Sequence, residues 1–184
     1  MNPFERQAIV AELIKNMREK DSWTGETHVQ KSVYFLQTML KVDLSFSFLL
    51  YRYGPYSFDL TAELEAMQFY NAIEFETPIP PYGPRFTTGE GSKALLADYK
   101  DILQQHKNSI QFVADNISVK KVQELEQLAT AWYFSEKLGT SASKTDVAKE
   151  VNKVKPHISV AQAEKAYDDC LELLGNWRQV RTAN

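Results

Sequence analysis

The chain has 184 residues, 43% hydrophobic and 24% charged, a balance typical of soluble globular domains that excludes a disordered, collagen-like or coiled-coil chain. A single cysteine, Cys170, excludes an internal disulfide, and His28, His106 and His157 are too dispersed for a zinc motif. The formal charge of −3 conceals an asymmetry: residues 1–92 carry eight Lys and Arg against twelve Asp and Glu, residues 93–184 thirteen against twelve, so the front half is poorly equipped to neutralise phosphates.

Ile9, Val10, Leu13, Ile14 and Met17 recur at helical spacing and predict a first amphipathic helix over residues 4–20. Turn residues Asp21, Ser22, Thr24 and Gly25 follow, and the stripe Val29, Val33, Leu36 and Leu40 predicts a second helix from Thr27 to Lys41. The aromatic-rich run Phe46 to Tyr53 reads as a short strand stopped by a Gly54-Pro55 turn, after which Ser57 caps a third helix carrying Leu60, Leu64 and Met67 and ending near Asn71. Ile73 to Glu76 alternates like a strand; the segment Thr77 to Pro84 is too proline-rich for helix or central strand; Arg85 to Thr87 returns as the second strand of a wing. From Glu90 the stripe Leu95, Tyr99, Ile102, Leu103, Ile110, Val113 and Ile117 predicts a long helix, interrupted if anywhere near Asn108-Ser109. A helix through Val122 to Tyr133 ends at the polar loop Gly139 to Ser143, a short one through Val147, Val151 and Val154 stops at Pro156, and Ser159 opens the last, with the stripe Ala163, Tyr167, Cys170, Leu174 and Trp177.

This order predicts a mainly α protein with a little β: a winged-helix-like domain over 1–92, with a two- to three-stranded sheet, and a helical region over 93–184 that packs on it or mediates dimerisation.

Four segments resemble a known family. His28-Val-Gln-Lys-Ser-Val-Tyr-Phe-Leu-Gln37, the turn Tyr51-Arg-Tyr-Gly-Pro-Tyr-Ser57 with its following helix, the run Leu125 to Phe134, and Val154-Lys-Pro-His-Ile-Ser159 with Ala166-Tyr167 are similar to the YwgA-like bacterial and archaeal proteins, related to the Panacea, or SocA-like, antitoxin domain. The resemblance implies a winged-helix-like fold and a role exercised by binding another protein, antitoxin-like or regulatory, rather than an enzyme.

A winged helix usually sends its third helix into the DNA major groove, yet here that helix carries Asp59, Glu63 and Glu65 and no Lys or Arg, which disfavours DNA. The alternative reading, a dimeric DNA-binding regulator, rests on Arg85 of the wing and on Lys149, Lys153 and Lys155. Tyrosine and arginine anchor protein interfaces, so the candidate partner-binding residues are Arg52, Tyr53 and Tyr56 around the Gly-Pro turn, with Gln30 and Lys31 on the second helix. The competing reading of the turn is plain packing and helix capping, and that of Lys31 a stem lying over core side chains. Thr88-Gly-Glu-Gly91 lacks the lysine and spacing of a P-loop, no nucleophile elbow appears, and Cys170 lies on an apolar stripe. The expectation is therefore a non-enzymatic module with no cofactor and no metal, a protein partner of its own or another kind, no membrane partner and, with no apolar leader at the start of the sequence, a cytoplasmic setting.

Overall fold

A computed structural model describes residues 1–77 and 83–182, so most of the proline-rich loop of the expected wing lies outside the described residues. Its elements are α1 (Pro3–Glu19), α2 (Glu26–Thr38), β1 (Leu49–Tyr51), β2 (Gly54–Tyr56), α3 (Phe58–Phe69), β3 (Ile73–Glu76), β4 (Arg85–Thr88), α4 (Gly91–Asp98), α5 (Lys100–Asn116), α6 (Val122–Leu138), α7 (Lys144–Val154) and α8 (Val160–Thr182). The protein is mainly α with two small antiparallel sheets, β1–β2 and β3–β4.

The chain divides into two units, at places other than the expected boundary after residue 92. The first comprises residues 1–48 and 57–120, the second residues 49–56 and 121–184. The reason is packing: α4 and α5 lie against α1, and β2 lies against α6.

In the first unit, α1 opens with a capping box. The Asn2 side chain accepts from the Glu5 N–H at 2.9 Å, Glu5 Oε2 accepts from the Asn2 N–H at 2.7 Å, and Pro3 takes the first helical position, where its missing N–H costs nothing. Ile9, Val10, Leu13, Ile14 and Met17 are fully buried, as their spacing predicts. Helix α2 stops at Thr38, three residues before the predicted end, because the chain turns left-handed at Lys41 (φ 61°) and again at Ser45 (φ 58°). Val42, Leu44 and Phe46 are buried alternately without belonging to a strand; Gln37 holds the segment, donating to the Phe46 carbonyl at 2.8 Å and accepting from its N–H at 2.9 Å.

Helix α3 starts where predicted, with the Ser57 hydroxyl accepting from the Leu60 N–H, and buries Leu60, Leu64 and Met67. Strands β3 and β4 pair in the register Ile73↔Thr88 to Glu76↔Arg85, and Phe75 stacks on Phe86 at 4.5 Å. Gly89 and Gly91 serve close packing: a Cβ at either would collide with a backbone carbonyl of Tyr70 or Asn71. The predicted long helix is broken at Tyr99 (φ −111°, ψ 26°), whose ring stacks on Phe4, and not at Asn108-Ser109, which are helical.

In the second unit, α6, α7 and α8 pack on one another, and α6 packs on β2 of the hairpin. Helix α7 carries its own capping box, Ser143 with Asp146. Along α8 the buried residues are Ala163, Ala166, Cys170, Leu173 and Trp177, so Leu173 takes the core position expected for Leu174, and Tyr167 is half-buried.

Candidate functional site

The expected strand from Phe46 to Tyr53 is only three residues long, and Gly54-Pro55 does not end it. Pro55 belongs to β2 and faces Leu50 across a hairpin in which Tyr51 pairs with Gly54. Two residues, Arg52 and Tyr53, form the tip, and Gly54 follows at φ 87°, a conformation glycine adopts without the Cβ penalty. Proline is tolerated because a two-stranded ribbon is all edge. Tyr53 is 58% exposed, Arg52 and Tyr51 are also exposed, and the Tyr56 ring is half-buried against Tyr51 at 5.6 Å.

The hairpin is clamped from α7. Lys155, immediately after that helix, is only 7% exposed; its ammonium donates to the Tyr51 carbonyl at 3.0 Å and to the Arg52 carbonyl, and lies 3.1 Å from the buried Glu126 carboxylate of α6. His157 Nε2 stands 3.4 Å from the same carboxylate. Lys155 is thus turned inward and holds the two tip carbonyls; as a phosphate contact it has no surface to offer. Burying this ammonium is tolerated because three acceptors surround it.

Gln30 and Lys31 are likewise interior, against their reading as partner contacts. Gln30 has no exposed surface; its amide donates to the Ser57 carbonyl and accepts from the Ser57 N–H, both at 2.9 Å, so one side chain satisfies both backbone groups of the α3 cap residue. Lys31 is 1% exposed, more deeply buried than a stem lying over core side chains. On the same helix His28 is buried with Nε2 3.1 Å from the Lys120 carbonyl, and burial holds its pKa below the ordinary value.

Of the cations the DNA-binding reading needs, Arg85 is engaged, donating to Glu76 at 2.9 Å with its guanidinium over the Trp23 ring at 5.3 Å. Lys149 and Lys153 are exposed, the latter 3.6 Å from Glu150. The three carboxylates of α3 do not act together either. Glu63 is ion-paired to Arg6 of α1, which also lies over the Phe46 ring at 4.9 Å, leaving Asp59 and Glu65 exposed.

The outer face of α3 carries a feature the sequence reading missed. Phe58, Ala62, Glu65, Ala66 and Phe69 recur at i, i+4, i+7, i+8 and i+11, which puts them on one side of the helix, opposite Leu60, Leu64 and Met67. All five are exposed, Phe58 at 54% and Phe69 at 94%. Two aromatic rings flank two alanines, with Asp59 and Glu65 as the nearby charges and no cation on the helix. The signal was in the sequence as a second apolar stripe, masked because α3 already had a core-facing one.

Among the described residues, no group of three His, Cys, Asp or Glu side chains is placed to hold a metal ion, and no helix is long and apolar enough to cross a membrane. Comparison with protein-family models and with curated proteins finds no match.

Proposed function

We propose that this chain is a non-enzymatic protein-interaction module of winged-helix type, antitoxin-like or regulatory, that meets its partner through the outer face of α3. The observation that carries the reading is a pair of phenylalanines, Phe58 at 54% and Phe69 at 94% exposure, on one face of an acidic helix whose opposite face is buried. Water-exposed rings three turns apart with small residues between them form an anchor-and-groove surface, and Asp59 and Glu65 match a partner segment that is apolar with basic flanks. The succession α1, α2, α3 and the β3–β4 hairpin supports the winged-helix reading, with the difference that β1 pairs with β2 instead of joining the wing. The exposed hairpin tip, Arg52 and Tyr53 with Tyr56 behind them, is a second contact surface of the interface-forming residue types.

The test is site-specific photo-crosslinking in the host cell, with a photoreactive phenylalanine at position 69 and, as control, at exposed position 179 of α8. The reading expects a discrete protein adduct from position 69 that disappears in a Phe58→Ser background. Adducts equal at both positions would contradict it. Steeply salt-dependent binding to duplex DNA, abolished by K149E/K153E, would replace it with the DNA-binding reading.

A further inference from the structure

Apart from α3, the first unit holds a recess with a distinct chemistry. Between α1 and α5, reaching the end of α4, lies an open groove of about 320 Å³. Its floor is apolar: Leu96 and Leu103 are half-buried and Ile110 is buried, at i, i+7 and i+14 along the α4–α5 path. Its rim is cationic, formed by Lys15 of α1 with Lys100 and Lys107 of α5.

The one carboxylate in the lining, Glu12, is already occupied, with Lys15 at 3.3 Å and the Asn16 side-chain amide donating to it at 2.9 Å. Lys100 and Lys107 make no ion pair among the described residues, whereas elsewhere in the unit Arg18, Lys20, Arg85 and Lys93 each have a carboxylate within 2.9 Å. Two uncompensated ammonium groups thus stand seven residues, or about 10.5 Å, apart on one side of α5, with the Gln104 amide between them. This happens in a unit that is acidic overall, with eleven Lys and Arg against fifteen Asp and Glu.

We infer that this groove binds a small amphipathic anion, a compact apolar body with a carboxylate head held by Lys100 and Lys107. The volume, at the lower end of small-ligand sites, is too small for a docked helix, which separates this occupant from an acidic peptide. The half-exposed leucines supply the apolar contact, and the ammonium groups supply charge-assisted hydrogen bonds and select the sign of the ligand's charge. The inference does not depend on the α3 surface.

The experiment is an NMR titration of the ¹⁵N-labelled full chain with decanoate, in parallel with decyltrimethylammonium, acetate and an acidic amphipathic peptide. Saturable decanoate shifts at residues 12–16 and 100–111 are expected, absent with acetate and with the cationic amphiphile, and weakened at least tenfold in K100Q/K107Q. Both substituted lysines are exposed, so the spectrum elsewhere should stay that of the folded wild type. No saturable shifts, equal binding of the cationic amphiphile, unchanged affinity in the double variant, or shifts centred on Phe58 and Phe69 would each overturn the inference. Binding of the acidic peptide without binding of decanoate would overturn it in favour of a peptide groove.

Discussion

Replacing Gln30 by leucine separates an internal fastener from a partner contact. The wild-type side chain satisfies the Ser57 N–H and C=O at 2.9 Å each, with no exposed surface. Leucine is close in size but satisfies neither, so the buried Ser57 N–H loses its partner, while the Ser57 carbonyl keeps the helical bond from the Thr61 N–H at 3.2 Å. The orphaned donor costs about 1–3 kcal/mol, partly offset by the apolar burial leucine brings, for a net of about 1–2 kcal/mol. For a chain of this length, 1 kcal/mol moves Tm by about 2–4 °C, so the variant should melt about 2–8 °C lower. The assay is thermal unfolding followed by far-UV circular dichroism, with urea unfolding to confirm that the midpoint moves while the slope does not. Q30E provides an internal control: at neutral pH its carboxylate still accepts from the Ser57 N–H but repels the Ser57 carbonyl, so it should be at least as destabilised as Q30L, and should recover on acidification once it carries a donating proton. A Q30L protein melting within 1 °C of wild type would refute the reasoning and return Gln30 to the list of contact residues.

Other outcomes follow from the second unit and from His28 and His106 of the first. Lys155→Met keeps the stem but strands the Glu126 carboxylate and two hairpin carbonyls, so it should lose about 3–5 kcal/mol in urea unfolding; adding Glu126→Gln should restore part of that loss, and strict additivity of the two substitutions would contradict the clamp. Burial lowers the pKa of both His28 and His106 below 6.5, so in the window beneath that value the unfolded chain binds protons that the folded chain does not. Their contribution is therefore present above about pH 6.5 and lost as pH falls toward the folded values. Stability measured from pH 7 to pH 5 should fall less steeply in H28Q and least in H28Q/H106Q; an unchanged slope would contradict the assignment.

What the sequence made legible was local. The α1 stripe and the Ser57 cap follow from residues within four positions of each other, and the β3–β4 pairing from two short runs either side of a proline-rich loop. Pro55 misled because a Gly-Pro pair normally closes a strand, and only its pairing with Leu50 places it inside one. The helix break at Tyr99 left no glycine or proline to mark it. The site was harder still. Gln30 and Ser57 are 27 positions apart, Arg6 and Glu63 are 57, and Lys155 and Tyr51 are 104; no spacing rule connects such pairs, and each converts a residue that looks available into one that is spent. Exposure of Phe58 and Phe69 could be guessed only after deciding which of two apolar stripes on α3 faces the core.

The central claim, that the α3 face is a partner-binding surface, is tested most directly by isothermal titration calorimetry of the crosslinked protein's partner, purified, against wild type and Phe69→Ser. Because Phe69 is 94% exposed, the substitution should leave Tm unchanged within about 0.5 kcal/mol of stability. It should also weaken binding about 30-fold, the size expected for a central aromatic anchor. Equal affinities for the two proteins, both folded, would contradict the account.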